Sequence, residues 1–244
     1  MSVHVVGKRS QHWYGETVGI LVVDARYPCV PGNVSNATTF PFPVRYEVVE
    51  GCSIDKLINH RDPGLIHAFI EAARKLEARG VKSIAGACRF MALFQEEVAA
   101  AVEVPVFLSS LMQIPFMHRI TRKPVGIITA KAAELKDIHF ERTGVSRDIP
   151  VAILGMDDQP EFVSAILEEK GTLDSALIEK EVTGAARLLK EQNPGIGSVL
   201  LECSDLPPYA NAIQKEIDLP VFDFVTMINF ANSSMTRAVY SGYI

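Results

Sequence analysis

Residues 80–107 align with residues 195–222 without a gap, and no other feature of the chain limits its fold as tightly. Gly80, Ser83, Cys88, Pro105, Val106 and Phe107 recur as Gly195, Ser198, Cys203, Pro220, Val221 and Phe222, all at an offset of 115. Val18-Gly19-Ile20-Leu21 and Val125-Gly126-Ile127-Ile128 open the two halves at an offset of 107. Chance likeness between two βαβ units is the alternative, because such units share composition. The ungapped placement, with a helical pattern upstream in both halves, favours an internal duplication. A duplicated chain of 244 residues forms two lobes of about 105–115 residues, each long enough to bury a core.

Within each half, apolar runs rich in β-branched residues alternate with helical patterns. Strands are expected over 18–23, 44–49, 81–85 and 104–108, and again over 125–129, 151–154, 198–201 and 219–222. The stretch 63–79 carries a helical stripe of Leu65, Ile66, Phe69, Ala72, Ala73 and Leu76, closed by Gly80. Further helices are expected over 90–102, 132–143 and 174–192, and after 203. Strands spaced by such helices predict an α/β chain with two pseudo-symmetric lobes. Each lobe is a mostly parallel sheet of about four strands flanked by helices, with the active site in the cleft between them.

Composition removes several classes of function. With 24 basic against 29 acidic residues, net charge −5, the chain carries no footprint for nucleic acid. The basic run at 119–123 reads as a solvated linker. The apolar stretch 90–117 is broken by Gln95, Glu96, Glu97, Glu103, Pro105 and Pro115, which excludes a membrane span. Residues 1–16 contain no apolar run and do not read as a secretory signal. The four cysteines form no C-x-x-C pair, so neither a disulfide scaffold nor zinc is expected. The six histidines, at 4, 12, 60, 67, 118 and 139, show no metal-ligand spacing. A cytoplasmic, thiol-reducing setting follows, in which the sequons at Asn33, Asn36 and Asn232 carry no meaning. Phosphate-binding, dinucleotide and serine-hydrolase motifs are missing from the sequence.

The repeat sorts the cysteines. Cys88 and Cys203 obey the 115-residue offset, each just past an expected strand and just before an expected helix. Ligands of open parallel sheets bind outside the carboxyl ends of the strands. A helix N-terminus there would lower a thiol pKa. If the lobes face each other about a pseudo-dyad, the two thiols reach one cleft from opposite sides. One thiolate can then remove a proton from one face of a carbon while the opposite thiol delivers one to the other. Such chemistry requires no cofactor, provided donors stabilise the carbanion. The alternative is packing, since cysteine is among the most buried residue types; Cys29 and Cys52, which lack the strand-then-helix context, are read that way.

These motifs, Gly86-Ala87-Cys88-Arg89-Phe90 and Leu201-Glu202-Cys203-Ser204-Asp205, resemble those of the aspartate/glutamate/hydantoin racemase superfamily, over roughly residues 16–230. The resemblance implies cofactor-independent catalysis by Cys88 and Cys203, and a C-terminal helix returning to the first lobe. The lobes are then 16–117 plus 223–244, and 118–222. It also implies that the Asp24-Ala25 loop lines the site and that the Thr129-Ala130 turn offers hydroxyl and N–H groups to a substrate carboxylate. A homodimer or higher homo-oligomer is expected on the same basis.

The departures bear on substrate. Arg89-Phe90 stands where amino-acid racemases of the family carry Asn-Thr, and Ser204-Asp205 where they carry Thr-His. Ser204 can replace the threonine as a hydroxyl donor. Asp205 either orients a substrate cation or caps the following helix. Arg89 either neutralises a carboxylate, stabilises the Cys88 thiolate, or points to solvent. The segment 31–44, with Phe40 and Phe42 flanked by prolines, is either a lid or apolar wall over the cleft, or a surface connection or dimer contact. Pro207-Pro208-Tyr209 reads as shaping a helix start. The expected activity is racemisation or epimerisation of a small carboxylate, amino-acid-derived or hydantoin- or ureide-like. Two alternatives stand beside it: a lyase of the same superfamily, resembling dimethylsulfoniopropionate lyase, and an idle two-lobe ligand-binding protein.

Overall fold

The computed structural model describes Val3, residues 13–53 and residues 64–243. His4, His12, His60 and the first residue of the expected helix at 63 lie outside the described residues, as does the Arg89 side chain.

Two four-stranded parallel sheets form the frame. The first contains β1 (Val18–Asp24), β2 (Val44–Ser53), β3 (Ser83–Gly86) and β4 (Val106–Phe107), in the order β2-β1-β3-β4. The second contains β5 (Val125–Thr129), β6 (Val151–Gly155), β7 (Ser198–Leu201) and β8 (Val221–Phe222), in the order β6-β5-β7-β8. The registers repeat with the sequence. Val18 stands opposite Val44 and Ser83, and Val125 opposite Val151 and Ser198. Ile84 pairs with Val106, and Val199 with Val221. The duplication is therefore one of strand pairing as well as sequence. β3, β5 and β7 are buried along their whole length, which is why they read as unbroken apolar runs.

Helix α1 (Leu65–Ala78) buries Leu65, Phe69, Ala72, Ala73 and Leu76 in the first core, and Gly80, at φ +91°, turns the chain toward β3. Two expected helices are broken. The first becomes a 3₁₀ segment, Arg89–Phe94, followed by α2 (Gln95–Ala101). Phe90, Met91 and Ala92 are all buried, so this stretch has no solvent face to support an amphipathic helix. The second becomes a 3₁₀ turn, Ala132–Glu134, and α4 (Asp137–Arg142), because Leu135 is extended and buried between them.

The sequence reading did not anticipate α3 (Ile114–Thr121), a helix spanning the expected boundary at 117/118, with Pro115 in its first turn. Ile114 and Met117 pack with Val125, Ile127 and Leu200 of the second sheet. In return, α8 (Phe224–Met235) packs Phe224, Met227 and Ile228 with Val18, Ile20 and Ala85 of the first. Each lobe's last strand thus leads into a helix covering the other lobe. Gln113 Nε2 donates to the Asp223 carbonyl at 2.9 Å, tying the two crossings together.

The second crossover is longer. β2 and β3 begin at 44 and 83, whereas β6 and β7 begin at 151 and 198. The extra length holds α5 (Pro160–Phe162), which runs into a π-helical turn, Val163–Leu167, ahead of α6 (Ser175–Gln192). Helix α7 (Ala210–Ile217) follows a 3₁₀ turn at Pro207–Tyr209. Among the described residues no helix is long and apolar enough to cross a membrane.

Candidate active site

One backbone device places both cysteines. Beyond β3, the Ala87 N–H donates to the Leu21 carbonyl at 3.0 Å; beyond β7, the Glu202 N–H donates to the Ile128 carbonyl at 2.9 Å. Each bond extends the parallel ladder by one residue, and the next residue is the cysteine. Cys88 and Cys203 then line the same small cavity, of about 40 Å³, with Val23, Tyr27, Ala87, Phe90, Ala130, Ile166, Leu167, Ser204 and Asp205. Both lobes contribute to it. That volume has room for roughly one or two waters.

The α-helical N-terminus expected directly after each cysteine is not there. Cys88 precedes the 3₁₀ segment, and α2 starts only at Gln95. After Cys203 the chain turns, with the Leu206 N–H donating to the Cys203 carbonyl, and α7 starts only at Ala210. Pro207 and Pro208 have no N–H to donate, which prevents an earlier α-helical turn.

The other anticipated residues fall into three groups. Phe90, Ala130, Ser204 and Asp205 line the cavity. The Ser204 hydroxyl donates to the Ala87 carbonyl at 2.7 Å, joining the lobes rather than aiming at a ligand. Thr129 and Asp24 do not line it. The Thr129 hydroxyl is buried and donates to Glu202 Oε2 at 2.8 Å, because a buried carboxylate takes any donor within reach. Asp24 is exposed at the end of β1. Arg89 follows Cys88 on the backbone.

Asp205 does not cap α7. Its carboxylate is the centre of a buried network. Oδ1 accepts from Asn33 Nδ2 at 2.6 Å; Oδ2 accepts from the Tyr27 hydroxyl at 3.2 Å and from Cys203 Sγ at 3.4 Å. Burial pushes the carboxyl above its ordinary range, while the bonds from Asn33, Cys203 and Tyr27 pull it down. Burial also holds the Tyr27 hydroxyl well above its ordinary value, reinforced by Asp205 and then Cys203. Cys29 sits in the same loop, its thiol pushed up to about 11 by burial and then by Asp205. Cys52 lies in the first core.

The loop that delivers Tyr27 and Asn33 belongs to the first lobe and lies across the second. The Val34 N–H reaches the Ser204 carbonyl, and the Arg26 N–H donates to Glu169 Oε1 at 2.5 Å. Gly32 meets Pro208 so closely that a Cβ there would stand 2.6 Å from the Pro208 Cα. The first half of segment 31–44 therefore covers the cleft. Its second half turns inward, where Phe40 packs beside Phe224. The sequence singled out this segment but not Tyr27, Asn33 or the π-turn residues Ile166 and Leu167. Only Asn33, inside the Pro-Gly-Asn stretch, had a local signal. Among the described residues no group of three His, Cys, Asp or Glu side chains is placed to hold a metal ion.

The family model described as Asp/Glu/Hydantoin racemase matches residues 44–228. Dimethylsulfoniopropionate lyase 7 of Emiliania huxleyi is 30% identical over 225 residues, covering 87% of this chain and 65% of that protein. This chain thus spans less than two thirds of that relative's length. Among solved structures, a point mutant of arylmalonate decarboxylase superposes with a TM-score of 0.61 at 14% identity, covering 90% of this chain and 92% of the other. Glutamate racemase RacE1 of Bacillus anthracis superposes with a TM-score of 0.60 at 18% identity, covering 92% and 81%. These structural likenesses concern the fold.

Proposed function

Because the chain belongs to the Asp/Glu/hydantoin racemase family, we propose that it removes the proton α to the carboxylate of a small substrate with a cysteine thiolate and then eliminates a β substituent. The observation that carries this reading is the meeting of Cys88 and Cys203, from two lobes, on one cavity. One thiolate takes the α-proton. The C–H electrons form the Cα=Cβ bond, and the leaving group departs with the electron pair of its bond to Cβ. Backbone N–H groups following each cysteine are the candidate donors to the carboxylate as charge builds on it.

Elimination is preferred to amino-acid racemisation on the character of the walls. A substrate ammonium needs a free carboxylate or several acceptors, and both oxygens of Asp205 are already taken by protein donors. Val23, Phe90, Ile166 and Leu167 instead offer apolar surface, which suits a leaving group clad in methyls. A sulfonium of the kind named in the 30%-identical relative fits that description, so a β-sulfonio propionate is the first substrate to test. Racemisation is the second reading, favoured by the presence of a thiol on each lobe.

Incubation with such substrates in D₂O, with and without Cys88→Ser and Cys203→Ser, separates the readings. Release of the sulfide with an unsaturated carboxylate supports elimination. Deuterium at Cα of recovered, inverted substrate indicates racemisation. Turnover that survives both substitutions overturns the two-thiol mechanism.

A further inference from the structure

Three donors converge on Asp205, and one of them is a proposed catalytic thiol. The chain spacing makes this geometry local: Cys203 and Asp205 are two residues apart on the turn beyond β7, and the Leu206 N–H to Cys203 carbonyl bond closes that turn. The other two donors, Tyr27 and Asn33, come from a loop of the opposite lobe. A carboxyl group receiving an amide N–H, a phenol O–H and a thiol S–H is set up as an acceptor at both oxygens. These bonds favour the ionised form, against the burial that raises the carboxyl overall.

We propose that Asp205 is a positioning residue for Cys203: it accepts the Sγ–H, keeps Cys203 in its thiol form so that Cys88 is the base of the pair, and is itself held by Tyr27 and Asn33. An ionised carboxylate 3.4 Å from sulfur opposes a second negative charge there, so the proton stays on Cys203. Cys88 is then left as the base that takes the α-proton; the C–H electrons form the double bond and the sulfide departs as a neutral molecule, so the Cys203 proton is not consumed. The titratable groups facing Asp205 are Cys203 on its own turn, Tyr27 and Cys29 on the loop, and Tyr209 on the following turn.

The inference rests on the two-thiol reading but is tested without substrate. Each cysteine of the full chain is alkylated with iodoacetamide across pH 5–10 and quantified by peptide mass spectrometry. Normalising each curve to its own high-pH plateau removes differences in access. In Asp205→Asn the Cys203 midpoint falls by about one unit, a roughly tenfold faster alkylation below the midpoint, while the Cys52 curve is unchanged. Tyr27→Phe, which keeps the ring in place, moves the midpoint the same way by less, and it stands as the test if Asp205→Asn does not fold. An unmoved Cys203 midpoint in both variants would show that Asp205 carries no charge against the thiol. A midpoint that rises would make Asp205 the base that ionises Cys203. Either result overturns the proposal. A midpoint that falls, in a protein that neither releases sulfide nor exchanges a substrate proton in D₂O, would keep Asp205 in this role and remove the proposed function.

Discussion

Gly32→Ala tests whether close backbone contact holds the loop over the site. Gly32 has φ +99°, and a Cβ on it would lie 2.6 Å from the Pro208 Cα, where ordinary contact begins at 3.4 Å. About 0.8 Å must therefore be found, and neither neighbour is a flexible side chain. The positive φ alone costs an alanine about 1 kcal/mol. Lifting the loop by about 0.8 Å stretches the Asn33–Asp205 bond from 2.6 Å to about 3.4 Å, where it keeps little of its strength. A bond to a charged group is worth about 1.5–3 kcal/mol. Together these lower the cost of opening the loop by about 3 kcal/mol, a change of about 100-fold in the open population. Amide hydrogen exchange of residues 30–36 reads that directly, and plateau alkylation of Cys203, 7% exposed in the closed form, reads it at the site. Gly144→Ala is the control: Gly144 has φ +73° with nothing within 4 Å of its Cβ position. It carries only the backbone cost, about 1 kcal/mol, and lowers Tm by about 2–4 °C. If Gly32→Ala exchanges at wild-type rates over 30–36, or shows only what Gly144→Ala shows, the close approach to Pro208 does not fix the loop.

Thr129→Val removes the hydroxyl that donates to the buried Glu202 carboxylate and should cost about 1–3 kcal/mol in chemical denaturation; a cost below 0.5 kcal/mol, on the order of a surface change, would mean that Glu202 draws little from it. Cys52→Ala, in the first core, should lower stability yet leave sulfide release from substrate intact, whereas Cys88→Ser and Cys203→Ser should abolish it with little change in Tm. The folded-state value for Asp205 lies above its ordinary 3.8, so the folded state holds that proton more readily than the unfolded chain does. The stability of wild type relative to Asp205→Asn should therefore be greatest below pH 3.8 and decline as pH rises through the raised folded-state value; urea melts at pH 3.5–7 check this, and a difference that instead grew with pH would reverse the assignment.

The frame was legible in the sequence because parallel strands buried on both faces leave a simple trace. Val18, Ile20 and Leu21, or Val125, Ile127 and Ile128, cannot be anything but apolar, and the 107 and 115 offsets carried the registers with them. The two cysteines were legible for the same reason, since ladder geometry repeats at Ala87 and Glu202. What escaped was set by tertiary contact rather than local pattern. Phe90 and Met91 sit in a 3₁₀ segment buried on all sides, so periodicity had nothing to report. Thr129 had the right position for a ligand donor, but Glu202 lies within reach of its hydroxyl, a fact on the far side of a 73-residue separation. Tyr27 and Asn33 act on Asp205 across 178 and 172 residues, and a loop carries no period by which such reach could be read.

The two halves are not equal partners, and the inequality points one way. Both lobes supply a cysteine from the same ladder position, but the first lobe also sends its 27–36 loop across the cleft. The second answers with a longer crossover, whose π-helical turn brings Ile166 and Leu167 into the wall. A symmetric pair of thiols suits a reaction that must run equally in both directions, as racemisation does. Here Cys203 is bound to a carboxylate that the loop secures, and π-turns inside helices often mark functional sites. Differences of this kind between two titratable groups set one as acid and the other as base. A site biased in that way keeps one thiol protonated and leaves the other as base, and an elimination that expels a neutral sulfide needs only the base. The asymmetry built on the duplicated frame is thus an argument for a lyase that the cysteine repeat alone could not make.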